Sequence, residues 1–371
     1  MSYLSRLMSR VPLKLGSTVR KRVRRDAKIG RTINDALATA GLLLKSPPPT
    51  KAIGLPKQHR HPSARSTAEP EPLLPGSFRE HSFAHAVGKR RYKLFIPSTY
   101  RAASPASHPL LVLLHGCTQS PDDFAAGTRM NRLAEQHGFL VAYPAQSTAA
   151  NSSKCWNWFR PADQERQGGE ADLLAALTKS IIGKYSINPD QVYVAGLSAG
   201  AAMAVILGVT HPDVFAAVGA HSGLPFRAAL DVPSAFAAMS GKSASPAHVS
   251  RASTETHGLA IPLIVFHGDR DKTVAASNAD ALVRQTVTAC TGQPAGKVTE
   301  GTAGGRRYTR TVYTSLSGRA LIELWKIQGA GHAWSGGSAN GTYAVASGPD
   351  ASAEMVRFFM QVRRRTIPRD S

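Results

Sequence analysis

The chain has 371 residues, 42% of them hydrophobic, enough for a sizeable core in one to three domains. No run approaches about 18 apolar residues, so no membrane-spanning helix is expected. The formal charge of +21 is concentrated at one end: residues 1–66 hold 15 Lys and Arg against Asp26 and Asp35, a net +13, and the other 305 residues share +8. Basic charge confined to a segment without interleaved aromatics argues against specific nucleic-acid recognition.

That segment opens the chain. Arg20-Lys21-Arg22-Val23-Arg24-Arg25 is followed by residues 29–44, which have partial helical periodicity, and by Pro47-Pro48-Pro49. Residues 46–76 are rich in Pro, Ser and charge and read as a linker, so residues 1–76 are expected to be a largely disordered basic segment with a Pro-rich linker. A secretory leader needs an uninterrupted apolar stretch soon after its charges, whereas here that stretch carries Asp35 and no cleavage site follows. A basic segment of this kind can adhere to an anionic membrane or polymer surface, or can simply be solvated.

Beyond it, strand and helix patterns alternate. Arg91-Tyr92-Lys93-Leu94-Phe95-Ile96-Pro97 reads as an antiparallel edge strand. Further strands are expected at 109–115, 139–144, 191–196, 214–221, 262–267 and 320–327, with helices at 121–137, 169–186, 198–211, 277–290 and 350–364. The pattern predicts a doubly wound, mostly parallel α/β sheet with helices on both faces, spanning residues 77–365. Residues 224–258 break the alternation and are expected to form a cap.

Within this pattern, Gln191-Val192-Tyr193-Val194-Ala195 runs into Gly196-Leu197-Ser198-Ala199-Gly200 and then into a small-residue helix. A nucleophile in a strained strand-to-helix turn needs small neighbours two positions away on each side, and the helix N-terminus favours an oxyanion. This is the nucleophile turn of an α/β-hydrolase, with Ser198 as nucleophile. Such a site needs three more parts. The strand Pro109–Leu114 breaks into His115-Gly116-Cys117-Thr118-Gln119, a loop suited to set the Cys117 N–H opposite that of Ala199 as an oxyanion hole. The strand ending in His267-Gly268 carries Asp269 and Asp271; the spacing His-Gly-x-x-Asp-x-x-Val, ending at Val274, favours Asp271 as the acid and leaves Asp269 as a turn former. His332, in Gly329-Ala330-Gly331-His332-Ala333-Trp334, comes last and is the expected base. The order Ser, Asp, His belongs to α/β-hydrolases and differs from that of the chymotrypsin and subtilisin types. His115 and His267 read as loop-shaping residues. No Cys or His pair has metal-ligand spacing, so no metal is expected; no cofactor is expected either.

Six motifs together resemble the polyhydroxybutyrate depolymerase family of esterases, which includes feruloyl and acetylxylan esterases. They are His115–Gln119, Cys155-Trp156-Asn157-Trp158-Phe159, Gly196–Met203, His267–Val274, Gly331-His332-Ala333-Trp334-Ser335-Gly336-Gly337 and Gly348-Pro349-Asp350-Ala351-Ser352. The resemblance spans roughly residues 78–362 and implies Ser198, Asp271 and His332 as nucleophile, acid and base. It also implies that Cys117 and Cys155 lie close enough to pair, leaving Cys290 unpaired. Of the tryptophans that could wall the substrate, Trp156 and Trp334 are favoured over Trp158. The expected substrate is an ester, in particular a soluble hydroxyalkanoate oligomer, because secreted depolymerases usually carry a leader and a C-terminal polymer-binding domain, whereas this chain stops soon after its last helix. A feruloyl or acetylxylan esterase, a serine peptidase and a non-catalytic granule-binding protein are the alternatives. The resemblance implies an extracellular enzyme; the absence of a clear cleavable leader leaves a cytoplasmic one as the alternative.

Overall fold

A computed structural model describes residues 74–102, 108–242, 261–290, 294–315, 318 and 320–364. The basic segment up to residue 73 and the second half of the expected cap, 243–260, lie outside the described residues. The strands are β1 (Ser77–His85), β2 (Gly88–Ile96), β3 (His108–Leu114), β4 (Leu140–Pro144), β5 (Ile187–Leu197), β6 (Ala217–His221), β7 (Leu263–Gly268), β8 (Gly296–Ala303), β9 (Arg306–Thr314), β10 (Ala320–Ile327), β11 (Trp334–Ser335) and β12 (Ala344–Val345). The helices are α1 (Pro121–Thr128), α2 (Met130–His137), α3 (Glu170–Lys184), α4 (Ala199–Thr210), α5 (Val232–Met239), α6 (Ser277–Ala289) and α7 (Ala351–Met360).

Ten strands form one sheet in the order β1-β2-β4-β3-β5-β6-β7-β10-β9-β8. Its centre, β4 through β10, is parallel, and an antiparallel hairpin extends each end. The central strands are buried on both faces, which is why they read as unbroken apolar runs. Their side chains still alternate. Leu110, Val112, Leu114, Val192 and Val194 join α3, α4 and α6 in one core. Leu111, Leu113, Tyr193 and Ala195 join α1, α2 and α7 in the other. Ligands of such open sheets bind beyond the carboxyl ends of the parallel strands, and the motif loops all leave from those ends.

Four expectations change. The strand expected to open the sheet at its edge is second from the edge, because β1 pairs with it along its whole length. The hairpin β8–β9 adds two strands. Its outer strand, Gly-Lys-Val-Thr-Glu-Gly-Thr-Ala, is exposed and lacks apolar alternation, and its local signal is the turn Gly304-Gly305, with φ of 52° and 74°. The helix expected at 121–137 is two, since Arg129 enters the left-handed region at φ 54° and its N–H closes α1 on Ala125 O. The strand expected from 214 starts at Ala217, three residues later.

Buried charge ties the outer strands to the centre. Glu323 on β10 accepts from Arg310 of β9 at 2.9 and 3.1 Å and from Arg357 of α7 at 2.6 Å. Burial pushes its carboxyl pKa up, but the two guanidiniums outweigh this and hold it below the usual value.

Candidate active site

The turn from β5 to α4 sets Ser198 at φ 58° and ψ −121°, a conformation that costs a non-glycine residue on the order of 1–3 kcal/mol. Its N–H donates to His221 O at 2.9 Å and its carbonyl accepts from Ala202 N at 3.0 Å, so the turn is held from both sides. The flanking glycines are required by contact. A Cβ on Gly196 would strike Gly200 and Leu114 O, and one on Gly200 would strike Leu114 O and His115 O. Ala199 is the first residue of α4, where amides have no partner inside the helix.

The loop after β3 faces this turn. Its amides flanking Cys117 are committed: Gly116 N donates to Gln119 Oε1 at 2.9 Å and Thr118 N to Ser153 O at 2.7 Å, with Thr118 at φ 68°. Cys117 is disulfide-bonded to Cys155 across 38 residues, a closure worth about 3–4 kcal/mol in the chain-entropy account. Cys290 is a free, half-buried thiol. His115 is buried and its Nε2 accepts from Gln146 N at 3.1 Å, so the proton sits on Nδ1, which donates to Gly116 O at 2.7 Å. Burial lowers its pKa to about 4, keeping the ring neutral. His115 O in turn accepts from Trp156 Nε1 at 2.9 Å.

Asp271 and His332 meet from separate loops. His332 Nδ1 donates to Asp271 Oδ2 at 2.7 Å, while Asp271 Oδ1 accepts from Thr273 N and Val274 N, each at 2.9 Å. Burial would raise the Asp271 carboxyl, but these bonds and the nearby imidazoles bring it down to about 2. Engagement of Nδ1 leaves Nε2 of the neutral imidazole as its acceptor. Asp269 is exposed and instead accepts from Gly329 N at 2.6 Å, holding the turn before the His332 loop. His267 lies beneath, with Nε2 2.8 Å from Val274 O and 3.5 Å from Asp271 Oδ2, and burial lowers its pKa.

Ser198, His332, Cys117 and Ala199 line one cleft that encloses about 820 Å³, its open mouth included. Its walls are mostly apolar: Trp158 and Phe159 on one loop, Leu224, and Val232, Ala235, Phe236 and Met239 of α5. The described part of the expected cap therefore borders the cleft. Trp156 and Trp334 do not line it, a correction to the expected substrate wall. Both are under 2% exposed, with indole N–H groups bound inside the fold, Trp156 to His115 O and Trp334 to Ser352 Oγ at 3.0 Å. Trp334 also stacks on His221, so these rings brace the loops from behind, and Trp158 takes the position at the cleft. Among the described residues, no group of three or more His, Cys, Asp or Glu side chains could hold a metal ion.

Reading the sequence placed Gln119 in the loop after β3 without seeing what it holds, placed α5 only as part of the expected cap, and missed Tyr343. Gln119 Nε2 reaches Asp123 Oδ2 and Thr342 O, both at 2.8 Å, while its Oε1 holds the Gly116 amide. One side chain thus couples the loop after β3 to the segment that presents Tyr343 at the cleft.

The model of the family described as esterase PHB depolymerase matches residues 90–303. Poly(3-hydroxyalkanoate) depolymerase C of Paucimonas lemoignei is 38% identical over 233 residues, covering 62% of this chain and 55% of that protein. Poly(3-hydroxybutyrate) depolymerase of Ralstonia pickettii is 30% identical over 264 residues, covering 63% and 51%. The chain thus spans about half the length of these curated relatives. Among solved structures, an acetyl xylan esterase from Aspergillus awamori superposes with a TM-score of 0.60 at 19% identity over 77% of this chain and all of that one, a likeness of fold. The fold is that of the α/β-hydrolases, and the chain belongs to the esterase PHB depolymerase family.

Proposed function

We propose that the protein is a serine esterase that cleaves carboxylic esters through an acyl-enzyme, with Ser198 as nucleophile, His332 as general base and acid, and Asp271 as its orienting carboxylate. The observation that carries this reading is the 2.7 Å bond from His332 Nδ1 to a buried Asp271, in a cleft that also holds a serine at a strained turn. His332 Nε2 takes the Ser198 proton as Oγ attacks the ester carbonyl. The N–H groups of Cys117 and Ala199 receive the oxyanion, and His332 returns the proton to the leaving alcohol. Water, deprotonated by the same imidazole, then attacks the acyl-enzyme and releases the acid. Asp271 fixes the imidazole tautomer and stabilises its cation.

The apolar lining supports hydroxyalkanoate oligomers and other short-chain soluble esters over acetylated or feruloylated carbohydrate, whose hydroxyls need polar partners. A panel of nitrophenyl esters, hydroxybutyrate oligomers, feruloyl esters, acetylated xylan and a peptide amide tests the reading. Oligomers and short nitrophenyl esters are expected to turn over fastest, and a phosphonate ester should inactivate the enzyme with one adduct on Ser198. Faster cleavage of the amide, or an adduct elsewhere, would reject it.

The net +13 before residue 67 supports attachment of residues 1–76 to an anionic membrane or polymer surface, separate from catalysis by 77–365. A chain starting at residue 70 keeps Leu74, which packs on the core. It is expected to retain soluble-ester turnover and to lose salt-sensitive adhesion to anionic vesicles, since each basic residue contributes only about 1 kcal/mol and is screened by salt. Equal adhesion of both forms would remove the segment as anchor.

A further inference from the structure

Tyr343 lines the same cleft as Ser198 and His332 while its backbone stands at φ 50°, a region that favours glycine. A non-glycine residue persists there when its surroundings over-determine the backbone, and such strain clusters at sites that bind or react. Its surroundings here are tight. Thr342 donates to Asp123 from its N–H at 2.9 Å and its hydroxyl at 2.6 Å, and its carbonyl accepts from Gln119 at 2.8 Å. Tyr343 O accepts from Trp334 N at 2.7 Å, and β12, the two residues that follow, pairs with β11. Gly341 lies so close to Asp123 and Gly127 that a Cβ would collide. The loop is fixed before and after Tyr343, and the side chain it delivers borders the cleft.

We propose that Tyr343 is a specificity-determining residue that packs against the alcohol portion of the ester, an inference that rests on the esterase reading above. The side of the cleft follows from the proton. His332 must hand it to the departing oxygen, so the alcohol lies against the His332 loop. Tyr343 is joined by main chain to Trp334, two residues beyond His332, and so belongs to that wall. Trp158, Phe159 and Phe236 stand on other elements and are left to the acyl chain.

The positive φ supplies the test, because glycine removes the side chain at a position whose backbone suits it. The full chain and its Tyr343→Gly and Tyr343→Phe variants are compared on methyl butyrate and hexyl butyrate. The preference for the hexyl ester in kcat/KM should fall about tenfold in Tyr343→Gly, the scale of discrimination by apolar pocket contacts. The change should come through KM, and Tyr343→Phe should keep most of the preference. The ratio between methyl acetate and methyl hexanoate, which reads the acyl side, should stay within about twofold of the parent. An unchanged hexyl preference, or an equal loss on both butyrates, overturns the assignment. Should the glycine variant not fold, Tyr343→Asn, which also enters this backbone region, takes its place with the same expected and overturning results. Parent enzyme inert on both butyrates and on every ester of the panel above would remove the esterase reading, whereas active parent with an unmoved ratio removes only the role of Tyr343.

Discussion

Ser198→Ala is expected to lower ester turnover by at least about 10³-fold, because all bond making passes through one oxygen and only binding and oxyanion stabilisation remain. The variant should fold as the parent does, since the Ser198 backbone bonds to His221 O and Ala202 N are untouched. The two aspartates of the loop after β7 provide the matching contrast. Asp271→Asn keeps the shape but presents an amide that can donate to His332 Nδ1, favouring the wrong tautomer, and a loss of about 10⁴-fold in kcat is expected. Asp269→Asn keeps an oxygen for Gly329 N and should change turnover little. Stopped-flow and steady-state kinetics on one nitrophenyl ester decide it. Ser198→Ala retaining more than about a tenth of parental kcat would leave chemistry elsewhere. Asp269→Asn as the more damaging variant would move the acid.

What could be read from the sequence follows from how strongly each part is constrained locally. The nucleophile turn is legible because Gly196 and Gly200 are forced by collisions with β3 and its loop, so the constraint appears as residue identity. The central strands are legible because burial on two faces allows only apolar residues. The choice between Asp269 and Asp271 rested on spacing, and the two differ physically: one is exposed and ties a turn, the other is buried and meets the imidazole. The tryptophans show the limit. Trp156, Trp158 and Trp334 share a residue type and lie near the same loops, yet only Trp158 borders the cleft, because the indole N–H groups of the other two find partners inside. Which side of a loop a ring faces depends on contacts between segments far apart in sequence. The same holds for Gln119, whose partners include Thr342, 223 residues away. The hairpin β8–β9 escaped notice because its outer strand is exposed and polar.

Stability should fall steeply in mild acid, because burial lowers the pKa of four imidazoles, those of His115, His211, His221 and His267. Burial lowers the pKa of His115 and His211 to about 4 and that of His221 to about 3, against an unfolded value near 6.5. Between those limits the unfolded chain binds more protons than the native one, so stability rises with pH. The contribution is complete above about pH 6.5 and is lost as pH falls toward 4 and 3. His115, His211 and His221 alone give a slope of up to about 4 kcal/mol per pH unit, against a total stability of about 5–15 kcal/mol, so the fold is expected to fail between about pH 5 and 4. Asp271 adds its own loss only lower, from about 3.8 down to its folded value near 2. The histidines are also placed to take the site with them. His115 Nε2 accepts from Gln146 N, and His221 Nε2 accepts from Ser335 N at 3.1 Å while its ring stacks on Trp334. Protonation turns each acceptor into a donor aimed at an N–H, that of Gln146 in the loop after β4 and that of Ser335 in the His332 loop respectively. Urea unfolding at half-unit steps from pH 7 to 4 measures the slope directly. A pH dependence below one proton across that range would mean that these rings are already charged in the native state or solvated within it.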